Sequence, residues 1–167
     1  ELMGYARLSE GRVEKIDMKE ELQGAIEEAF PPNHAFHIQL KKDLHEGLPP
    51  LMMQRAHLRE IMVNLLVNAR EAAGENGMVQ VSCRPSPQYA IELRVKNSGE
   101  GIPPDQREQI FEAYFTTKKK GTGLGLAIVK QNTELYGGEI VVESELGVGT
   151  EFILTFPTRV LLQENES

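Results

Sequence analysis

Three side chains that could share one task stand four residues apart: Glu60, Asn64 and Asn68. In a helix this spacing stacks them on one side. Polar residues on a helix usually face solvent, but asparagine is a poor helix former, so two in a helix interior ask for a reason. A carboxamide oxygen is a hard ligand, and Mg²⁺ takes hard oxygens together with water and substrate phosphate. Three glycine segments point to the same chemistry. Asn97-Ser98-Gly99-Glu100-Gly101-Ile102 follows a strand-like run. Gly121-Thr122-Gly123-Leu124-Gly125-Leu126 opens a helical run, and Gly147-Val148-Gly149-Thr150 turns into a strand. Glycine lets a backbone approach a ligand closely. A helix start presents free N–H groups and the positive end of the dipole, which suits phosphate. Turns and caps explain most glycines taken singly; the weight lies in the combination.

Better-known glycine loops are absent. No G-x-x-x-x-G-K-[ST] occurs, so the phosphate loop of P-loop nucleotidases is missing. Glycines 121, 123 and 125 do not give G-x-G-x-x-G, and no strand precedes them, so the dinucleotide fingerprint is missing too. There is neither a nucleophile elbow nor a zinc-binding histidine pair.

The elements that would position these residues follow from apolar spacing. Leu58, Ile61, Met62, Leu65, Leu66 and Ala69 make one face of a helix over 55–73, capped by Gly74. Asn68 lies nearest that face and is expected to be partly buried. A helix over 19–30 ends at Pro31-Pro32. Phe36, Ile38 and Leu40 alternate with polar residues, giving a strand over 34–41, and 47–50 is a turn. Val79, Val81 and Cys83, then Ile91, Leu93 and Val95, alternate about a loop at 84–88 and form a hairpin. A short helical piece lies near 105–111. A helix over about 122–136 stops at Gly137-Gly138, and 140–143 pairs with 151–156. Helices and strands alternate without a strict βαβ repeat. The simplest packing is a two-layer α/β (α+β) sandwich, a mixed five-stranded sheet with about three helices on one face.

The chain has 167 residues, enough for one domain, and 40% apolar residues supply its core. A net charge of -7 argues against a nucleic-acid surface. One cysteine, Cys83, can form no internal disulfide, which fits a reducing compartment. No segment reads as a membrane span or signal peptide. The chain begins at Glu1 without Met and reads as a piece of a longer protein.

Taken in order, the motifs resemble the ATPase domain shared by sensor histidine kinases, gyrases, heat-shock chaperone ATPases and mismatch-repair ATPases. Asn64 to Ala69 is similar to the family's N box and Asn97 to Ile102 to its G1 box. Phe111-Glu112-Ala113-Tyr114-Phe115-Thr116-Thr117-Lys118 is similar to the F box. Gly121 to Leu126 resembles the G2 box, and Gly147 to Thr150 the last glycine box. The F box ending and the G2 run resemble the histidine-kinase branch, particularly its nitrogen-regulation type. The resemblance spans roughly residues 15–157.

The resemblance implies a Bergerat ATP-binding fold over 13–160, preceded by the tail of a dimerisation helix over 1–12 and followed by a flexible tail over 161–167. It implies that Asn68 coordinates Mg²⁺ on the ATP phosphates and that Asn64, with Glu60 beside it, serves catalysis near the γ-phosphate. Residues 103–121 would form a lid over ATP, anchored by Phe111 and Phe115 on apolar surface. Gly121, Thr122, Gly123, Leu124, Gly125 and Leu126 would receive the phosphates, and Lys118 could reach one. Asn97 and Thr150 would lie at adenine, and Gly99, Gly101 and Ile102 would also bind ATP. The implied partners are the chain's own dimerisation and histidine-phosphotransfer domain, in a homodimeric parent, and a response regulator. Neither nucleic acid nor direct membrane contact is implied. The implied setting is cytoplasmic, with a parent protein that could be membrane-anchored.

Two positions depart from the family pattern. The G1 box normally begins with Asp, whose carboxylate accepts from the adenine amino group; here Asn97 stands there. Its amide oxygen still accepts, at a cost of about 1 kcal/mol or somewhat more. Glu71 stands where many relatives place Lys, and Arg70 is about 100° around the helix from it. None of His34, His37, His45 and His57 fits a phospho-accepting helix. Gly47, Pro49 and Pro50 forbid one at His45, and His57 belongs to the Asn-bearing helix. The acceptor is therefore expected upstream of Glu1. Two functions remain open: a kinase half that passes phosphate to a separate histidine, and a nucleotide-binding regulatory module without transfer, which Asn97 would favour.

Overall fold

The computed structural model describes residues 11–33, 36–87, 90–115 and 125–158. The expected lead helix within 1–12 and the tail over 161–167 lie essentially outside the described residues, as do Lys118 and Gly121 through Leu124.

Five strands form one mixed sheet in the order β2-β4-β5-β7-β6: β2 (Gln39–Leu44), β4 (Met78–Ser86), β5 (Ala90–Ser98), β6 (Glu139–Glu145) and β7 (Gly149–Pro157). The β2–β4 pair is parallel and the other pairs are antiparallel. Alternation explains the central strands. Val79, Val81, Ile91, Leu93, Val95, Phe152, Leu154 and Phe156 all point into the core. Buried Cys83 joins them, and burial pushes its thiol up to about 12, so it packs as a small apolar residue.

Among the described residues three helices accompany the sheet: α1 (Met18–Ala29), α2 (Arg55–Ala73) and α3 (Gly125–Leu135). Asp17 caps α1, its carboxylate accepting from the N–H groups of Lys19 at 3.0 Å and Glu20 at 3.3 Å. The apolar stripe of α2 is buried along its length, from Leu58 to Ala69. Gly74, at φ 69°, ends the helix and its N–H reaches Arg70 O at 3.3 Å. The observed architecture is the expected α+β arrangement of a five-stranded mixed sheet and helices.

The structure corrects several boundaries. A second sheet, unforeseen, pairs β1 (Val13–Ile16) with β3 (Leu51–Gln54) antiparallel. Arg55 secures it by reaching Glu14 at 2.9 Å and also Glu21, whose carboxylate is shared with Arg59 at 3.2 Å. Strand β2 starts at Gln39 and not near residue 34. The Phe36 ring is taken by an edge-on contact with Phe30, centroids 5.9 Å apart, and by the Arg70 guanidinium 4.7 Å above it. The helical piece near 105–111 is two separate 3₁₀ turns, Pro104–Gln106 and Gln109–Phe111. Among the described residues no helix is long and apolar enough to cross a membrane.

Candidate functional site

One end of the site is built from strands. Asn97 is the penultimate residue of β5, paired across the ladder with Thr150 of β7. Asn97 is 2% exposed. Its Nδ2 donates to the Ser98 carbonyl at 2.8 Å, while its Oδ1 is buried with no partner. Thr150 is buried as well, and its hydroxyl lies 2.9 Å from Ser144 Oγ. Ser144 accepts the Ile102 N–H at 2.8 Å and donates to Gly149 O at 2.9 Å. Arg107 ties the same loop down, binding the carbonyls of Ile102 and Ser144. Ser144 and Arg107 were invisible as site residues in the sequence, because only the β6–β7 register and the fold of the loop after β5 bring them here.

Glycine is required at two close approaches. At Gly149 a Cβ would stand 2.0 Å from the Asn97 carbonyl oxygen. At Gly99 it would stand 2.5 Å from the Ala72 carbonyl in the last turn of α2. Real side chains do not tolerate such distances, so these glycines let three segments converge. Gly101 lies against Glu145 of β6.

The other end is built from helices. Asn64 donates from Nδ2 to the Glu60 carbonyl at 2.9 Å, which turns its Oδ1 away from its own helix backbone. That oxygen faces the start of α3, where a Cβ on Gly125 would lie 3.2 Å from it. Asn68, one turn on, is half-buried on the same side. Eight residues of α2 separate Asn64 from Ala72, about 12 Å of rise, so one rigid helix borders both ends. Helix α3 begins at Gly125 opposite Asn64, and a helix start carries the positive end of the dipole, so this wall is electropositive. Leu126 packs on the core behind it.

Glu60 does not stand free in this wall. Its Oε1 accepts from Asn132 Nδ2 of α3 at 3.0 Å, a partner the sequence did not reveal. Farther along the helices His57 Nδ1 meets Tyr136 Oη, which also accepts the Gln54 N–H at 3.1 Å. Burial holds the His57 imidazole below its usual pKa, against the opposing charge of Glu60. With its ring proton on Nε2, the neutral imidazole accepts the Tyr136 hydroxyl proton at Nδ1. Arg70 is occupied with the Ala29 carbonyl and the Phe36 ring. Phe111 and Phe115 pack against the core, Phe111 edge-on to Phe152 with centroids 6.1 Å apart.

Comparison with known proteins matches residues 53–160 to the histidine kinase-, DNA gyrase B- and HSP90-like ATPase family. The sensor histidine kinase ZraS of Escherichia coli K12 is 32% identical over 160 residues, covering 96% of this chain and 34% of the relative. The chain thus spans about a third of the length of that relative. Among solved structures, the mycobacterial sensor histidine kinase MprB is 28% identical with a TM-score of 0.78, covering 89% of this chain and 99% of that one. Full-length ShkA in complex with AMPPNP is 30% identical with a TM-score of 0.78, covering 89% of this chain and 31% of that one. With an orphaned acceptor at one end, an electropositive helix start at the other, and these relatives, the chain belongs to the histidine kinase-, DNA gyrase B- and HSP90-like ATPase family and is homologous to the catalytic domains of sensor histidine kinases.

Proposed function

We propose that this chain binds Mg–ATP and donates the γ-phosphoryl group to a histidine on a separate dimerisation domain of a homodimeric parent, with a response regulator as the final receiver. The cytoplasm is the setting this implies. The observation that carries the reading is Asn97 Oδ1, a buried acceptor without a donor. Leaving such an oxygen unpaired costs about 1–3 kcal/mol, and a ligand bearing a donor removes that cost. The adenine amino group is such a donor. Thr150, opposite Asn97 in the ladder, closes the same end.

The helical end fits the rest of the molecule. Among the described residues no three His, Cys, Asp or Glu gather around a common point. Mg²⁺ would instead be held by Asn68 with phosphate oxygens and water, the usual arrangement for this ion. Bound there, it neutralises phosphate charge. Asn64 orients its oxygen towards the phosphates, and the first turn of α3 donates N–H groups to them. Lys118 and residues 121–124, outside the described residues, remain part of the proposed phosphate contacts. The lid over 103–121 would root at Phe111 and Phe115.

Transfer needs the acceptor imidazole to attack the γ-phosphorus in line while ADP leaves. The chain's contribution is positioning and charge stabilisation. The nucleophile is itself a base, so no proton-abstracting residue of this chain is required. The AMPPNP held by ShkA supports nucleotide binding in this fold.

A second reading is a nucleotide-binding regulatory module without transfer. The uncharged Asn97 at the adenine end favours it. Incubation with γ-labelled Mg–ATP and a purified histidine-bearing dimerisation domain separates the two. The kinase reading expects acid-labile label on that domain. Binding of Mg–ATP with no transferred label would favour the regulatory module.

A further inference from the structure

We infer that Asn132 is a positioning residue for the phosphate end of the site and acts through Glu60. This rests on the nucleotide reading above and adds a residue that the motifs do not contain. Asn132 is 4% exposed and sits on α3 between the buried positions Val129 and Thr133. A carboxamide at a core position is costly unless it is bonded. Its bond is to a carboxylate, Glu60 Oε1, at 3.0 Å, and such charge-assisted bonds are among the stronger ones. Glu60 meanwhile carries Asn64 Nδ2 on its backbone carbonyl. One residue therefore meets α3 through its side chain and Asn64 through its main chain.

The two helices face each other in opposite order. Along α2 come His57, Glu60 and Asn64; their counterparts are Tyr136, just past the end of α3, and Asn132 and Gly125 on α3. Two polar ties thus lead down to the close approach of Asn64 and Gly125. The Glu60–Asn132 tie is the nearer one, seven residues or about 10 Å of helix from Gly125. It fixes how far α3 slides along α2, and hence where the first-turn amides of α3 stand relative to Asn64 Oδ1. This role needs an acceptor at position 60 and not a charge or a proton acceptor. The carboxylate that the motif resemblance put beside the catalytic asparagine is thereby assigned to geometry.

Calorimetric titration with Mg–ATP and, separately, with adenosine tests the assignment, because adenosine has no phosphates to feel the displacement. Asn132→Leu keeps the branched four-atom side chain and removes the donor, and a thermal melt beside the wild type checks that the fold is retained. Its Mg–ATP affinity is expected to fall about tenfold while adenosine affinity changes less than about twofold. Glu60→Ala is expected to match it, and the double variant to be no worse than either single one. Glu60→Gln, which keeps the acceptor oxygen, is expected to retain most of the Mg–ATP affinity. Equal weakening for both ligands, or an unchanged Mg–ATP affinity in Asn132→Leu, would overturn the assignment. Wild-type protein that binds adenosine but not Mg–ATP, or neither, would remove the nucleotide reading itself and this inference with it.

Discussion

The two ends of the candidate site are made by different means. The end holding Asn97 and Thr150 is a strand ladder: backbone hydrogen bonds set its register, and glycines let the segments touch. The end holding Asn64, Asn68 and Gly125 lies between helices, and side chains alone decide how the helices meet. A ladder is stiff because a one-residue slip would turn every side chain to the wrong face. A helix pair can slide by small amounts as side chains adjust. On the proposed reading, the strand end would hold one fixed base, and the helical end would close on phosphates that change during a reaction.

Substitutions should separate these two behaviours. The largest effect is expected at Asn68→Ala. Mg–ATP affinity should fall by about a hundredfold, ~2.7 kcal/mol, with thermal stability nearly unchanged, as read by calorimetry with and without Mg²⁺. An unaltered Mg²⁺ dependence would remove Asn68 from the helical end. Gly149→Ala should damage the strand end through the fold itself. Its methyl would meet the Asn97 carbonyl at 2.0 Å, and a loss of about 2–3 kcal/mol should appear in a denaturant midpoint.

Asn97→Asp should act on the strand end in two opposed ways. A carboxylate offers adenine a stronger acceptor, so nucleotide affinity should rise by about tenfold. Its second oxygen would face the Ser98 carbonyl that the amide now satisfies. The ligand-free protein should therefore melt at lower temperature. Equal or weaker nucleotide binding would mean that Asn97 does not touch the base.

The smallest effect is expected at Tyr136→Phe, which removes the hydrogen bond to His57 and the acceptor of the Gln54 N–H, at about 1 kcal/mol above pH 7. In the wild type the His57 pKa is lowered by burial. The unfolded chain then binds the proton more readily, so this contribution to stability is complete above the unfolded pKa of about 6.5. It is lost as pH falls from there through the folded value. Without the tyrosine proton on Nδ1 the imidazole should protonate more easily, and the acid-side loss should be shallower. Parallel stability curves against pH for the two proteins would contradict that.

What the sequence displays depends on whether a feature is local. Helix α2 could be read from its first to its last residue, because one apolar stripe runs its length and Gly74 stops it. The hairpins were legible by strict alternation. Strands β1 and β3 were not: each is four residues long, and Val13 and Glu14 are exposed. Phe36 misled because its ring serves an aromatic and cation contact beside the sheet and not a strand. The asparagines and glycines of the site were legible as residue types in a pattern. Ser144, Arg107 and Asn132 were not, since a serine in an edge strand, an arginine in a loop and an asparagine in a helix acquire their roles only from what the fold sets opposite them.

The central claim is that one nucleotide bridges the strand-built and helix-built ends. Titrating the ¹⁵N-labelled protein with Mg–AMPPNP and following the side-chain amide resonances of Asn64, Asn68 and Asn97 tests it most directly. The account predicts that all three move together and saturate at one equivalent with a single dissociation constant. If Asn97 shifts without Asn64 and Asn68, or the reverse, the two ends do not share a ligand and the account is wrong.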